Sequence, residues 1–220
     1  MDDYEAIRTT IEREVTEDTP EIRRQFLNHF KQEALDFVEH ACRAFQGWQN
    51  LESLIAGDVK RAHVAALVYT AINLHILSFK LFLCGYPIAS GNLQRQVIET
   101  IAVAILSSHR SLDVLDRYIN RTYSANKALR DLRRHKKKLG LNDDGINGLE
   151  KGLNFYHNYS HLTQMTVAEQ IRFEDQALQL GASFDPEKLA EYRNEIKSKI
   201  SLGRVLMNVI QGVAGNLSKW

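Results

Sequence analysis

The sequence predicts an all-α protein, an elongated bundle of about six or seven helices that forms a single domain over residues 1–220. Three observations support this prediction. Apolar residues recur with the spacing of one helix face over long stretches of the chain. Only 3 Pro and 12 Gly interrupt the 220 residues, so long helices are permitted almost everywhere. With 44% hydrophobic and 25% charged residues, the composition is that of a folded globular protein.

The chain begins with a short predicted helix over residues 4–15 and continues with a very long one. Thr19 is a capping residue and Pro20 suits a first-turn position, so the long helix is predicted over residues 21–54. About thirty residues span roughly 45 Å at 1.5 Å each, which favours an elongated bundle. The apolar stripe of this helix consists of Ile22, Phe26, Phe30, Ala34, Phe37, Ala41, Phe45, Trp48 and Leu51.

Two strongly apolar helices joined by a tight turn follow, over residues 62–84 and 87–108. Gly57 breaks the preceding pattern and Asp58 supplies an N-cap. The segment Gly85-Tyr86-Pro87 predicts the turn, because Gly suits the position after a helix and Pro the start of the next one.

A membrane hairpin is the alternative interpretation of these two helices, since about 20 apolar residues span a bilayer. Both helices nevertheless contain polar and charged side chains, which are costly inside a membrane. Burial between neighbouring helices explains the same pattern, and we do not expect a membrane protein. The polar residues are His63, Asn73, His75, Lys80, Asn92, Gln94, Arg95, Gln96 and Glu99.

The remaining elements are predicted from shorter patterns. One helix is expected over residues 111–138, a loop over 140–145 and a shorter helix over 146–162. Residues 168–184 fit either a small β-hairpin or an irregular helix, and we favour the hairpin. A capped last helix begins near residue 185 and runs nearly to the C-terminus.

Charge and cysteine content exclude several classes of protein. The net charge of +1 gives no overall attraction to nucleic acid or to anionic membranes, so any basic surface must be local. Cys42 and Cys84 are the only cysteines and lie in apolar stretches, so we expect no disulfide framework. The N-terminal residues are acidic and lack the features of a secretion signal. We therefore expect a cytoplasmic protein.

The motifs of several common enzyme classes are missing from the sequence. It contains neither G-x-x-x-x-G-K-[ST] nor G-x-G-x-x-G, which hold nucleotide phosphates. The G-x-S-x-G elbow of hydrolases and the C-x-x-C pair are also absent. So are H-E-x-x-H and the Glu-x-x-His pair of di-iron bundles. The sequence therefore predicts no cofactor and no metal site, and whether the protein is an enzyme stays open.

Arg95 and Glu99 are the first candidates for a functional site. They lie four residues apart in an otherwise apolar helix, so their side chains share one face, with Asn92 nearby. Charges in such a position require partners. They predict either an internal polar network that fixes helix packing, or a pocket wall. In a pocket, Arg95 would hold an anion, and Glu99 would act as a base or an orienting group.

His157 and His161 complete the candidate pocket. They are spaced i, i+4 on a predicted helix, so both imidazoles can face one metal ion or substrate. The sequence offers no third ligand for a metal. Packing of the histidines and their neighbouring tyrosines against other helices is the alternative interpretation.

A basic run follows the middle of the chain. Cations near the C-terminus of a helix are stabilised by its dipole, which predicts a solvated surface. The alternative is a phosphate-binding patch for nucleic acid, without base stacking because no aromatic residue interrupts the run. This candidate basic patch consists of Arg130, Arg133, Arg134, His135, Lys136, Lys137 and Lys138.

The segment Arg130-Asp131-Leu132-Arg133-Arg134-His135 resembles the Arg-x4-6-His motif of the HEPN superfamily. These helical bundles include dimeric toxin and defence ribonucleases. The resemblance implies that Arg130 and His135 act on a scissile phosphate from paired helices. The segment lies late in its helix within a lysine run, which departs from the family pattern.

A second resemblance covers about the middle half of the chain. The turn from Gly85 to Gly91, the Arg95-x-x-x-Glu99 pair and the later Tyr/Ser/His cluster are similar to a group of bacterial helical domains of unknown function. This resemblance implies that Arg95, Glu99 and His161 share a site, and it brings no activity with it.

Three hypotheses of function follow. The favoured one is a noncatalytic interaction or accessory protein that forms a homodimer through its long helices, and a further protein partner is compatible with it. The second is a small-molecule or nucleotide-binding bundle that uses Arg95 and Glu99 in a core pocket. The third is a HEPN-like ribonuclease that uses Arg130 and His135, with nucleic acid as its partner.

Overall fold

A computed structural model describes residues 3–172 and 177–220 and confirms the all-α fold. This part of the chain contains nine α-helices: α1 (Asp3–Thr16), α2 (Pro20–Glu52), α3 (Val59–Leu83), α4 (Pro87–Ser107), α5 (Val114–Ile119), α6 (Ala128–Leu139), α7 (Asp143–Ser160), α8 (Gln164–Ala168) and α9 (Leu189–Leu217). The predicted hairpin is confirmed, because strand β1 (Ile171–Arg172) pairs antiparallel with β2 (Ala177–Leu178). Residues 173–176, between the two strands in sequence, lie outside the described residues.

Helix α2 is the long helix that the sequence predicts. Its 33 residues span about 50 Å. Pro20 occupies the first turn, while the Thr19 hydroxyl donates a hydrogen bond to the Cys84 carbonyl oxygen at 3.0 Å. This bond ties the start of α2 to the turn between α3 and α4. The helix bends at Phe30, whose backbone angles of −131° and 28° are not helical.

Helices α3 and α4 form the centre of the bundle. Asp58 caps α3 by accepting hydrogen bonds from the amides of Lys60 and Arg61. The predicted turn is present, and Gly85 adopts a φ of +86° there. A side chain at Gly85 would meet the backbone of Ser183 at 2.7 Å, so the turn requires glycine.

The continuous helix predicted over residues 111–138 is wrong. The chain instead forms two short helices, α5 and α6, each preceded by a turn of 3-10 helix. Asp113 and Arg121 adopt the left-handed conformation, with φ of 54° and 58°, and each interrupts the helix. These turns allow Leu115 and Tyr123 to point into the core, and that tertiary burial outweighs the local helical pattern.

The core consists of two hydrophobic clusters. The larger one draws residues from α2, α3, α4, α6, α7 and α9 and surrounds α4, whose residues from 101 to 107 are all buried. The smaller cluster is rich in aromatic rings from α2, α3 and α9, and its rings are Phe26, Phe30, Phe37, Phe79, Phe82 and Tyr192.

Within the described residues, one helix is long and apolar enough to cross a membrane. This helix is α3, with a mean hydropathy of 1.6 over its most apolar window. It packs against α4, α2 and α9, so contacts inside the bundle account for part of its apolar sequence.

Candidate functional site

Helix α4 and the C-terminal end of α7 bring Arg95, Glu99 and His161 together, which are three of the four predicted pocket residues. Arg95 Nε donates to Glu99 Oε1 at 3.0 Å, within α4. Arg95 Nη1 donates to Ser160 Oγ at the end of α7 and lies 3.5 Å from His161 Nε2. His157 reaches the group through His161, with 4.2 Å between the ring centroids. We call these five residues the Arg95 cluster.

The Arg95 cluster lies at the surface rather than in a closed core pocket. The side chains of Arg95 and Glu99 are 20% and 17% exposed, and both histidines are exposed. Two cavities lie along α4, and neither is lined by a residue of the Arg95 cluster. One of about 410 Å³ includes Ile98 in its lining, and the other, of about 380 Å³, includes Asn92.

The geometry orients the guanidinium group of Arg95. Glu99 holds its Nε edge, and Ser160 accepts from Nη1 while its own hydroxyl donates to the His157 carbonyl oxygen at 3.1 Å. In the described part of the chain no hydrogen bond occupies Arg95 Nη2. A guanidinium presents its donors in a fixed fork that matches phosphate and carboxylate, so this arrangement can hold an anion beside two imidazoles.

A glycine sets the distance between α4 and α7. Gly91 is buried one turn before Arg95, and a Cβ atom there would overlap the ring of Tyr159. The absence of a side chain therefore lets α7 approach closely enough for Ser160 to reach Arg95. No group of three or more His, Cys, Asp or Glu residues that could hold a metal ion occurs in residues 3–172 and 177–220.

A buried polar network that the sequence analysis missed lies between α3, α4 and α9. Lys199 is fully buried and pairs with Glu195 at 3.0 Å. Its ammonium group donates to Ser78 Oγ at 2.8 Å, and Ser78 Oγ donates to the Ser90 carbonyl oxygen at 2.9 Å. Burial lowers the pKa of Lys199, and the nearby Glu195 carboxylate opposes this shift.

The same network continues through His75 on α3. His75 Nδ1 lies 3.2 Å from the Gln94 side-chain nitrogen and 3.3 Å from its oxygen, while Nε2 is buried and has no hydrogen-bond partner among the described residues. Burial, reinforced by the charge of Lys199, lowers the pKa of His75 to about 3. Lys199 falls on the apolar stripe of α9, seven residues after Tyr192, and that position was the available signal for its burial.

The candidate basic patch on α6 is partly neutralised by α7. Arg133 donates to Glu150 and to Asn147, and Lys136 donates to Asp143 at 2.7 Å. The Arg133 guanidinium lowers the pKa of the Glu150 carboxyl, and Lys136 lowers that of Asp143. These pairs join α6 to α7. The exposed residues Arg130, Arg134, Lys137 and Lys138 make no hydrogen bond or ion pair with other described side chains.

Arg130 and His135 are not brought together by the fold. Arg130 is exposed and His135 is half-buried, and no hydrogen bond joins them within the described residues. The HEPN interpretation therefore requires a second chain to complete its site, and it stays a prediction.

Comparison with known proteins yields no relative: no protein-family model, no curated protein and no solved structure matches the chain.

Proposed function

We propose that the protein binds a small molecule or nucleotide through an anionic group at the Arg95 cluster. One observation carries this proposal: the guanidinium of Arg95 is fixed by Glu99 and Ser160 beside two exposed histidines. Such a group is already positioned, so little side-chain entropy is lost when an anion arrives. Arg95 and both imidazoles can also donate hydrogen bonds, which an anionic ligand would accept.

The residues of the cluster have different roles in this proposal. Arg95 holds the anion through its Nη groups, and Glu99 orients the guanidinium from the opposite edge. His157 and His161 lie at the solvent side, where they can donate hydrogen bonds to the same anion or transfer protons. An enzymatic function would use these imidazoles, whereas a binding function needs only Arg95.

Calorimetric titration of the full chain with inorganic phosphate, AMP and ATP tests the proposal. We expect binding by at least one of these probes, and a weakening of at least about tenfold in the variant Arg95→Gln. The matched control is Arg24→Gln, because Arg24 also pairs with a glutamate on a helix but is exposed and lies on α2, outside the Arg95 cluster. Far-UV circular dichroism checks that both variants are folded.

Three results would contradict the proposal. One is the absence of heat and of any His157 or His161 chemical-shift change with all three probes. Another is equal affinity in wild type and Arg95→Gln. A loss of affinity in Arg24→Gln that matches the loss in Arg95→Gln would show a general charge effect, which also rejects a specific site.

The interaction-protein hypothesis is the second candidate. It is favoured by a different observation, an exposed apolar stripe on helix α1, which does not touch the Arg95 cluster.

A further inference from the structure

Helix α1 exposes an apolar stripe that no described residue of its own chain covers. Tyr4, Ile7, Ile11 and Val15 recur every three or four residues and are 48–78% exposed. In the described residues, the hydrogen bonds from α1 to other elements all involve Glu14. Its Oε1 accepts from the Tyr86 hydroxyl at 2.6 Å and from the Ala182 amide at 3.1 Å. The helix is thus held at one end, and its apolar face is left in solvent.

The outer surface of α2 and α3 contains an apolar groove of about 600 Å³, which we call the α2–α3 groove. Leu35 and Val38 in its wall are 54% and 52% exposed, although both are large and apolar. The charged residues of the lining are all cations, Arg23, Lys31 and Lys80. A groove of this kind suits an amphipathic helix with acidic flanks.

Helix α1 matches the α2–α3 groove in length and in charge. Its 14 residues are about 21 Å long, and the groove follows α2 from Arg23 to Val38, about 23 Å. Residues 3–18 contain six acidic residues and two arginines, a formal charge of −4, which opposes the three cations of the groove. An acidic helix is repelled by an anionic lipid surface, so the charge favours a protein groove over a membrane.

We infer that α1 of one copy of this chain docks in the α2–α3 groove of a second copy, and that the exchange is reciprocal. A two-fold axis relates the copies, so each gives one helix and receives one, and the assembly closes as a dimer. The exchange buries the stripe of Ile7 and Ile11 against Leu35 and Val38. It places the acidic flanks of α1 beside Lys31 and Lys80. The inference is independent of the Arg95 cluster.

The first experiment measures the mass of the full chain in solution by sedimentation velocity over a range of concentrations. We expect a dimer that the variant Ile7→Asp/Ile11→Asp weakens by at least about tenfold. The control variant Ala6→Asp/Thr9→Asp adds the same charge to the opposite face of α1 and should remain a dimer. Because the side chains at these positions are exposed, we expect all variants to fold.

Charge exchange then identifies the two surfaces. Lys31→Glu/Lys80→Glu makes the groove acidic, and Glu5→Lys/Glu12→Lys changes the formal charge of helix α1 itself, Asp3–Thr16, from −2 to +2. Each variant alone should be monomeric, whereas their equimolar mixture should form a heterodimer in which both docked helices meet a groove of opposite charge.

Three outcomes would overturn the inference. The wild-type chain could remain monomeric up to about 100 μM. A dimer could form that neither the stripe variant nor the charge variants weaken, which would place the interface elsewhere. Finally, the chain could stay monomeric and cosediment with vesicles of phosphatidylcholine and phosphatidylserine through the α1 stripe, which would assign the stripe to a membrane.

Discussion

The buried pair of Lys199 and Glu195 gives a quantitative test of how the core is held together. Lys199 is fully buried and Glu195 is nearly so, with 3.0 Å between the charged atoms. At that distance and an effective dielectric constant of about 20, their attraction is roughly 5–6 kcal/mol. The desolvation of both groups offsets most of this attraction, so the intact pair contributes little net stability.

Breaking the pair should therefore cost much more than replacing it. Lys199→Met leaves the Glu195 carboxylate buried without its cation, and we expect a loss of about 3–5 kcal/mol in the free energy of unfolding. It also removes the donor to Ser78 and the cation that lies within 6 Å of the Phe82 and Tyr156 rings. The double variant Lys199→Met/Glu195→Met removes both charges, and we expect it to lie within about 2 kcal/mol of wild type.

Urea unfolding followed by far-UV circular dichroism measures both effects. With a slope of about 2 kcal/mol per M, a loss of 4 kcal/mol lowers the midpoint by roughly 2 M. The control is Lys197→Met, an exposed lysine two residues away, which should change stability by no more than about 0.5 kcal/mol. If Lys199→Met costs no more than this control, or if the double variant loses at least as much stability as Lys199→Met, the buried pair is not coupled as the structure indicates.

Two further predictions concern the same central helices. The folded-state pKa of about 3 for His75 lies below its ordinary value, so the unfolded chain binds the extra proton and stability falls as the pH drops below about 6.5. His75→Gln should reduce this loss by about 2 kcal/mol between pH 6.5 and 5, in urea titrations at each pH, whereas His63→Gln at an exposed site should not. Gly91→Ala places a methyl group against the Tyr159 ring and should cost about 1–3 kcal/mol in thermal unfolding. In Gly212→Ala the new methyl group would meet open space, and we expect this variant to be more stable by about 0.5–1 kcal/mol. An equal change in the two glycine variants would contradict the close contact between Gly91 and Tyr159.

The long helices could be predicted because their signals are local. The apolar period of α2, the Asp58 cap and the turn at Gly85 each depend on residues within a few positions of one another. The prediction of one continuous helix over residues 111–138 was wrong for the opposite reason, because the interruptions depend on contacts with other parts of the fold. These interruptions occur at Asp113 and Arg121, where a left-handed conformation is uncommon for a residue other than glycine. The burial of Leu115 and Tyr123 in the core accompanies these turns, and it depends on packing against other helices.

For the candidate site, too, the sequence predicts the contacts within one helix but not the contacts between helices. The pairing of Arg95 with Glu99 follows from a spacing of four residues on one helix, and the structure shows it. The approach of Ser160 to Arg95 depends on how α4 docks against α7, which no local pattern encodes. Lys199 was missed because a lysine is expected in solvent, although its position on the α9 stripe indicated burial.

The first two turns of α4 connect the buried network to the Arg95 cluster. Ser90 and Gln94 contact α3, and Gly91 and Arg95 contact α7. A slide of α4 by one turn would move it about 5.4 Å along its axis and separate the polar groups of α3 and α4 from each other. Each buried polar group left without a partner costs about 1–3 kcal/mol, so several such losses exceed what repacking of apolar residues can return. The network therefore fixes the register of α4 against α3, and with it the position at which Arg95 meets Ser160.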